Sequence, residues 1–501
     1  MAPKFVFILA ILFSTLFSSA AFAEDEESVD KEPYRKTSTE PHDMRIVNSG
    51  SAALYARIDM IRRATKSIEL ETFIFNKDSS GKIVMKELLE AAKRGVKVRI
   101  LVDKAFNNIK LDEYDAQQLK QNGVELRFYN NASLLNVSTV QYRNHRKLLI
   151  VDDKEVITGG RNIADEYFDL SKRFNFLDRD ATIEGEIAAT IRESFDKFWD
   201  SGMTETPAPV EKPTPPLPSD EEGGRQKYEA DMYYYKKYTE RAKKLGELNA
   251  DDERKLKFIM EAGKESFLQN ERRMCPEVSF ASDKEGAGFL ESFSDKYRKR
   301  FRHLRSEISK WMKKKVKTEI TIDTPYFLDN DLTEYLENGL AEKVKVNVMT
   351  NSLASTDAIH VSSVFNDTVN RFTQSEYFKA YTYKGKFSEE GKVLDDEIKN
   401  STWGTHSKTM VFNDDSFMVG TFNMDNRSTQ YNAELAVFCS GSKELTEDIQ
   451  KNIKLRMSGS NRLNNEGLPD DCSDPFKDVG QLKKALYYLI KIPSHFLQFL
   501  L

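Results

Sequence analysis

The reading turns on His145-Arg146-Lys147-Leu148-Leu149-Ile150-Val151-Asp152 and on a second stretch built the same way, His406-Ser407-Lys408-Thr409-Met410-Val411-Phe412-Asn413. Both continue alike, into Gly159-Gly160-Arg161-Asn162 and Gly420-Thr421-Phe422-Asn423, so that each asparagine stands 17 residues after its histidine. A four-residue apolar run after His-x-Lys is the signature of a strand buried on both faces. In an extended chain residues i and i+2 share a face. Each histidine therefore points the same way as its lysine, while Arg146 and Ser407 point away.

The surroundings repeat as well. In the first copy an amphipathic run, 52–65, leads into a β-rich run, 67–75, a helical run, 82–94, and an alternating strand, 95–102. In the second, 302–315, 318–327, 332–342 and 344–349 follow in the same order. Strands separated by helices of ten or so residues predict βαβ units and a mixed or parallel sheet covered by helices. The expected fold class is α/β, two repeated sandwich domains, and internal duplication is the first thing such a sequence should be searched for. The boundaries read from the sequence are 51–203 and 276–460 for the two domains. Between them, 204–275 opens with the Pro-rich 207–218 and continues as a charged helical insertion. The stretch 225–273 is expected to pack as surface helix across both halves.

Composition sets limits. The chain has 501 residues with 75 basic and 80 acidic side chains, so it is long enough for two sizeable cores, and its bulk charge gives no support to a nucleic-acid coating role. Three cysteines, Cys275, Cys439 and Cys472, allow one disulfide and no zinc framework. At the N-terminus the apolar 5–17 and the small-residue triplet Ala21-Phe22-Ala23 read as a secretory signal over 1–23, too short to span a bilayer. Residues 24–50 are a polar segment, expected to be loose up to about residue 43. The final segment, 461–501, ends in a Lys-interleaved apolar tail from Leu482 in which Pro493 is expected to break any continuous helix. Such a tail suits a membrane interface better than a span.

Two His, two Lys and two Asn supply donors and cations without a dense carboxylate cluster, which fits a phosphodiester better than a divalent metal. One imidazole can attack phosphorus while the other protonates the leaving oxygen. Each needs an acidic partner to fix its tautomer, and Asp178 and Glu434 lie downstream in comparable positions, with Asp180 as an alternative to Asp178. The candidate catalytic set is His145, Lys147, Asp152, Asn162, Asp178, His406, Lys408, Asn423 and Glu434. The remaining histidines, His42, His303, His360 and His495, are read as structural.

At these residues the sequence resembles the phospholipase D superfamily, whose signature is His-x-Lys-x4-Asp followed by a small-residue turn and Asn. The segments 159–168, 350–357 and 420–428 look most like bacterial cardiolipin synthases, particularly a minor, peripherally bound branch. The resemblance covers roughly 51–460. It implies a pseudo-twofold pair of domains with one active site at their interface, no cofactor and no metal, and phosphatidyl transfer through a histidine adduct to a lipid hydroxyl, another alcohol or water. It implies His145 as nucleophile and His406 as acid and base, a phospholipid partner at a membrane surface, and a monomer that is its own pseudo-dimer. A secreted phosphodiesterase or nuclease of the same superfamily is the alternative. Two departures stand out: Asn413 replaces the second motif's Asp, with Asp414 next to it, and Thr421 replaces a common Ser. The signal sequence implies a secreted or periplasmic, peripherally membrane-associated protein.

Overall fold

The computed structural model describes residues 33–104, 111–130, 141–216, 222–286, 301–328, 332–476 and 478–496. The expected signal segment, 1–23, and the tip of the connector, 217–221, lie outside the described residues.

Each half is organised around a nine-stranded mixed sheet. In the first the order across the sheet is Thr204–Glu205, Val124–Tyr129, Lys97–Asp103, Ser67–Thr72, Leu148–Val151, Glu155–Gly159, Asp180–Glu184, His42–Val47 and Arg273–Cys275. The second repeats it: Ser460–Arg462, Phe378–Tyr383, Lys345–Asn351, Glu319–Asp323, Thr409–Phe412, Ser416–Gly420, Leu435–Ser440, Glu277–Ser282 and Arg35–Ser38. The predicted βαβ units are present. Ser67–Thr72, Lys97–Asp103 and Val124–Tyr129 run parallel, joined by the helices Ser79–Lys93 and Glu113–Gln121. Asp78 and Asp112 cap these helices, each side chain accepting first-turn N–H groups.

Three large apolar cores follow among the described residues. Two lie between each sheet and its own outer helices. The third is shared: Met44, Ile46, Leu148 and Ile150 of the first half meet Phe417, Val419, Val437 and the helix residues Ile191 and Ile449. Leu148-Leu149-Ile150-Val151 is buried at every position because one face of its sheet meets the outer helices and the other meets this shared core. The two halves thus fold against each other as a single apolar unit.

The halves also exchange edges. Arg35–Ser38, which leads into the first half, pairs with Glu277–Ser282 of the second sheet, while Arg273–Cys275, which leads into the second half, pairs with His42–Val47 of the first. Residues from Arg35 to Val47 are accordingly strands, not a loose segment; their backbone groups are taken up by sheets formed far away in sequence. Cys275 and Cys439 form a disulfide that ties the first sheet's edge strand to the second sheet, and Cys472 is free and exposed.

Two further expectations are corrected. The insertion helices Glu222–Lys243 and Ala250–Phe258, the latter continuing to Gln269, pack on the outer helices of the first half, and reach the second through ion pairs such as Lys392–Glu265 and Arg254–Asp395. Their apolar side, Leu256 and Ile259, belongs to the first half's core, which settles where they sit. The last helix, Gln481–Phe496, runs through Pro493. A proline near a helix end removes a single backbone bond, which the final turn tolerates. No helix of the described residues is long and apolar enough to cross a membrane.

Candidate active site

The two His-x-Lys segments meet at the junction of the halves because each is paired, main chain to main chain, with the other half. His145 N donates to Ala433 O at 3.0 Å, and His406 N donates to Leu177 O at 2.7 Å. Strand Thr402–Thr405 runs parallel with Phe174–Leu177 across the same junction. The residues next along are Glu434 and Asp178, so each histidine is delivered beside the other half's carboxylate. His145 Nδ1 lies 2.9 Å from both oxygens of Glu434, and His406 Nδ1 lies 2.7 Å from Asp178 Oδ2. Both rings are gripped at Nδ1, which leaves Nε2 as the nitrogen a ligand can reach.

The carboxylates are not equivalent. Glu434 also accepts Thr421 Oγ1 at 2.5 Å, Ser428 Oγ at 2.8 Å and Asn432 Nδ2 at 3.3 Å. Thr421 therefore supplies through its hydroxyl the contact that a serine would. Asp178 accepts from Arg179 N at 2.7 Å and presses against Gly160, where an added Cβ would stand 2.4 Å from Asp178 Oδ1. Glycine at 160 makes room for the shorter side chain. Burial pushes the Glu434 carboxyl up to about 7, against the pull of Lys147 and its hydroxyl partners. Burial acts on Asp178 too, but the hydrogen bond and charge of His406 outweigh it and hold this carboxyl down at about 2.

The cations are held inward. Lys147 Nζ donates to His145 O and Lys408 Nζ to His406 O, each at 2.6 Å. This same-strand bond folds each lysine back beside its own histidine. Burial, followed by mutual repulsion, lowers Lys147 to about 7; burial lowers Lys408 to about 8 against the pull of Asp178 and Glu434. Burial and the neighbouring lysines also push His145 well below the usual imidazole range and His406 down to about 4, so both rings are neutral in the empty pocket. Such a site is poised for an anion, whose charge would raise every one of these groups.

The asparagines flank the pocket. Asn162 Oδ1 accepts Ile74 N at 3.1 Å, and its amide also bonds the buried Tyr167, whose ring meets His406 edge-on. Asn423 is buried, and its Oδ1 has no hydrogen-bond partner among the described residues. A ligand donor would satisfy it, or the amide turned over to offer Nδ2 to a phosphate oxygen.

Asp152 is elsewhere. Its carboxylate takes the backbone N–H groups of Thr65, Lys66 and Ser67 and the Thr65 hydroxyl, clamping the turn at the far end of the motif strand. Its place in the motif makes it a catalytic candidate by sequence, but the strand's own length carries it away from the histidine. Asn413 does the same work: Oδ1 accepts from Lys317, Thr318 and Glu319 N–H, and Nδ2 donates to Lys315 O at 2.7 Å. Both residues have positive φ, 56° and 57°, where Asp and Asn are favoured. The missing charge is not displaced to Asp414, which is exposed and paired with Lys443.

Asp180 is also excluded as the orienter of His406, since Arg57 and Arg161 hold it. Arg146 points away from the pocket, as expected, between Glu71 and Ser194. His42 is bound at both ring nitrogens in the fold and His303 meets Tyr34 edge-on, whereas His360 is exposed beside Asp357, Asp425 and Arg427 at the pocket rim. The side chain of His495 lies outside the described residues. Sequence reasoning missed Tyr167, Ser428, Asn432, Tyr326 and Asp357. Tyr167, Ser428 and Asp357 stand in segments already singled out for their resemblance, but nothing local distinguishes a pocket tyrosine or serine from a core one. Among the described residues no group of His, Cys, Asp or Glu is arranged to hold a metal.

A family model described as "Cardiolipin synthase, PLD-like domain" matches the chain twice, over residues 57–199 and 312–456, one match in each half. The chain belongs to this family. Its sequence is 30% identical to an uncharacterized protein of Helicobacter pylori over 423 residues, 78% of this chain and 75% of the relative. It is 24% identical to a probable cardiolipin synthase of Bacillus subtilis, covering 83% of this chain and 68% of the relative. Among solved structures, phosphatidylserine synthase of Haemophilus influenzae superposes with a TM-score of 0.61 at 14% identity, covering 91% of this chain and 95% of that one, which shows a common fold. The family's description supports phospholipid phosphatidyl transfer at the level of the family.

Proposed function

We propose that this family member transfers a phosphatidyl group through a covalent adduct on His145 to an alcohol, a lipid hydroxyl foremost, with water as the competing acceptor. The observation that carries the reading is the reciprocal pairing of each histidine with the other half's carboxylate, which aims two neutral imidazoles and two buried lysines at one pocket. The relatives called cardiolipin synthase support a lipid alcohol as acceptor.

In the first step the Nε2 lone pair of His145 forms the N–P bond as the P–O bond to the leaving alcohol breaks, and that oxygen takes a proton from His406 Nε2. Burial and Lys408 keep His406 neutral in the empty pocket; the bound phosphodiester charge offsets Lys408, and ionised Asp178 stabilises the imidazolium. In the second step the acceptor hydroxyl returns a proton to His406 while its oxygen displaces His145. Lys147, Lys408, Asn162 and Asn423 hold the equatorial oxygens where charge builds. The assignment of His145 over His406 as nucleophile draws on the asymmetry of the carboxylates: the ionised one, Asp178, serves the ring that must carry a proton.

We place the reaction outside the cytoplasm, at a membrane surface. The Cys275–Cys439 disulfide supports an oxidising compartment.

The test uses vesicles of phosphatidylglycerol with and without a short primary alcohol. Wild-type protein should divert product from phosphatidic acid to the phosphatidyl alcohol. After quenching in alkaline denaturant, His145→Ala should show no adduct, and His406→Ala should form one only slowly, with turnover reduced by about 10²- to 10⁴-fold. Full turnover in His145→Ala would overturn the assignment.

A further inference from the structure

The helix Gln481–Phe496 has two unlike sides. Tyr487 is buried against Leu353 and Val479, and Lys483 donates to Thr356 O at 2.7 Å and Ala354 O at 3.4 Å. This side therefore rests on the 352–357 loop. That loop follows Asn351, whose amide clasps Thr405 through both O and N immediately before His406. It also presents Asp357, an exposed carboxylate bonded by Tyr326 Oη at 2.9 Å and close enough to act on His406 and Lys408. The helix is thus seated at the margin of the catalytic pocket.

Its other side is bare. Leu482, Leu489 and Ile492 are 76%, 72% and 69% exposed, with Leu486 between them and Tyr488 beside them. Positions 482, 486, 489 and 492 follow one another at helical spacing, a single stripe along one face. Large apolar side chains that exposed are rarely lined up on a surface that meets only water.

We infer that this stripe is the surface by which the protein lies on an anionic lipid bilayer, with the helix in the headgroup layer and the pocket mouth facing the lipid. Charge selects this occupant. From Gln481 to Leu501 the sequence contains no Asp or Glu and, besides Lys483, which is tied to the 352–357 loop, it carries Lys484 and Lys491, in a chain whose acidic residues outnumber its basic ones. The sequence beyond the helix, Leu497-Gln498-Phe499-Leu500-Leu501, continues the apolar character. A helix with apolar side chains on one face and lysines elsewhere on its surface, with no acidic residue, is held at a bilayer surface by burial of the first and attraction of the second to anionic lipid. Over its described residues, Gln481–Phe496, it is not long and apolar enough to cross a membrane.

The inference rests on the phospholipid reading above, and binding and turnover are measured separately so that each can fail alone. Full-length protein is floated with vesicles of phosphatidylcholine alone or with phosphatidylglycerol added, beside the triple variant Leu482→Asp, Leu489→Asp, Ile492→Asp. The three positions are exposed, so thermal unfolding and turnover of a short-chain soluble phosphodiester should be unchanged. Wild type should bind the anionic vesicles, more weakly as salt rises, and the variant should bind at least about tenfold less. Equal flotation of variant and wild type, or binding indifferent to phosphatidylglycerol, would overturn the proposal. So would a wild-type dimer in light scattering that the three aspartates make monomeric, since the stripe would then cover itself. Flotation without any phospholipid turnover would leave the docking surface standing and refute the catalytic reading instead.

Discussion

Asp178→Asn tests the division of labour between the two histidines. The substitution keeps the size of a side chain wedged against Gly160 and removes its charge. Asp178 Oδ1 accepts Arg179 N at 2.7 Å while Oδ2 faces His406 Nδ1 at 2.7 Å. An asparagine cannot serve both as an acceptor: with Oδ1 kept for the Arg179 amide, Nδ2 faces His406 and enforces the tautomer whose Nε2 already carries hydrogen. That ring cannot take the acceptor's proton. The lost charge adds to this. Two unit charges about 4 Å apart at an effective dielectric of about 20 attract by about 4 kcal/mol, or about 10³-fold in the rate of any step that passes through the imidazolium. With phosphatidylglycerol vesicles kcat should fall by about that factor. With an activated aryl ester of phosphatidic acid, whose leaving group departs without a proton, the first step needs no acid. Stopped-flow should then show a burst of one aryl alcohol per enzyme at near wild-type rate, followed by slow turnover as the adduct waits for a base. Loss of the burst, with both steps suppressed alike, would refute the assignment of His406 as the proton carrier and Asp178 as its partner.

Lys147 and Lys408, lowered to about 7 and about 8, are cationic only below those values, so kcat/KM should fall as pH rises through 7 to 8. Their contribution to stability runs the other way. The folded pKa lies below the unfolded one, so between about 7 and the ordinary lysine value of about 10.4 the unfolded chain binds more protons and this contribution grows with pH. A pH–rate profile rising through 8 would contradict the first expectation. Asn413→Ala should lower stability in urea by about 2 to 3 kcal/mol, through the lost amide contacts and the positive φ, while activity per folded molecule stays unchanged; Asn413→Asp should stay within about 1 kcal/mol of wild type. Asp152→Ala should likewise lose stability and keep its specific activity, and its loss of catalysis in folded protein would return it to the site.

The sequence by itself determined the duplication, the α/β class and the His-Lys-Asn inventory, because these depend on local pattern: the two-residue period of a strand puts His145 with Lys147 and His406 with Lys408 on one face wherever the strand lies. It also brought forward Asp178 and Glu434, whose positions in the two copies correspond. Which carboxylate serves which histidine was not local. Pairing within a half and pairing across halves leave the same sequence pattern, and only the hydrogen bonds of His145 with Ala433 and of His406 with Leu177 bring the partners in from the opposite half. The same holds for the exchanged edge strands, since Arg35–Ser38 reads as a polar segment until Glu277–Ser282 takes up its backbone groups. Asp152 and Asn413 show the reverse limit. Their place in the motif follows from the sequence, but a strand rising about 3.3 Å per residue separates the end that grips a turn from the end that meets a ligand, and only the folded chain shows which is which.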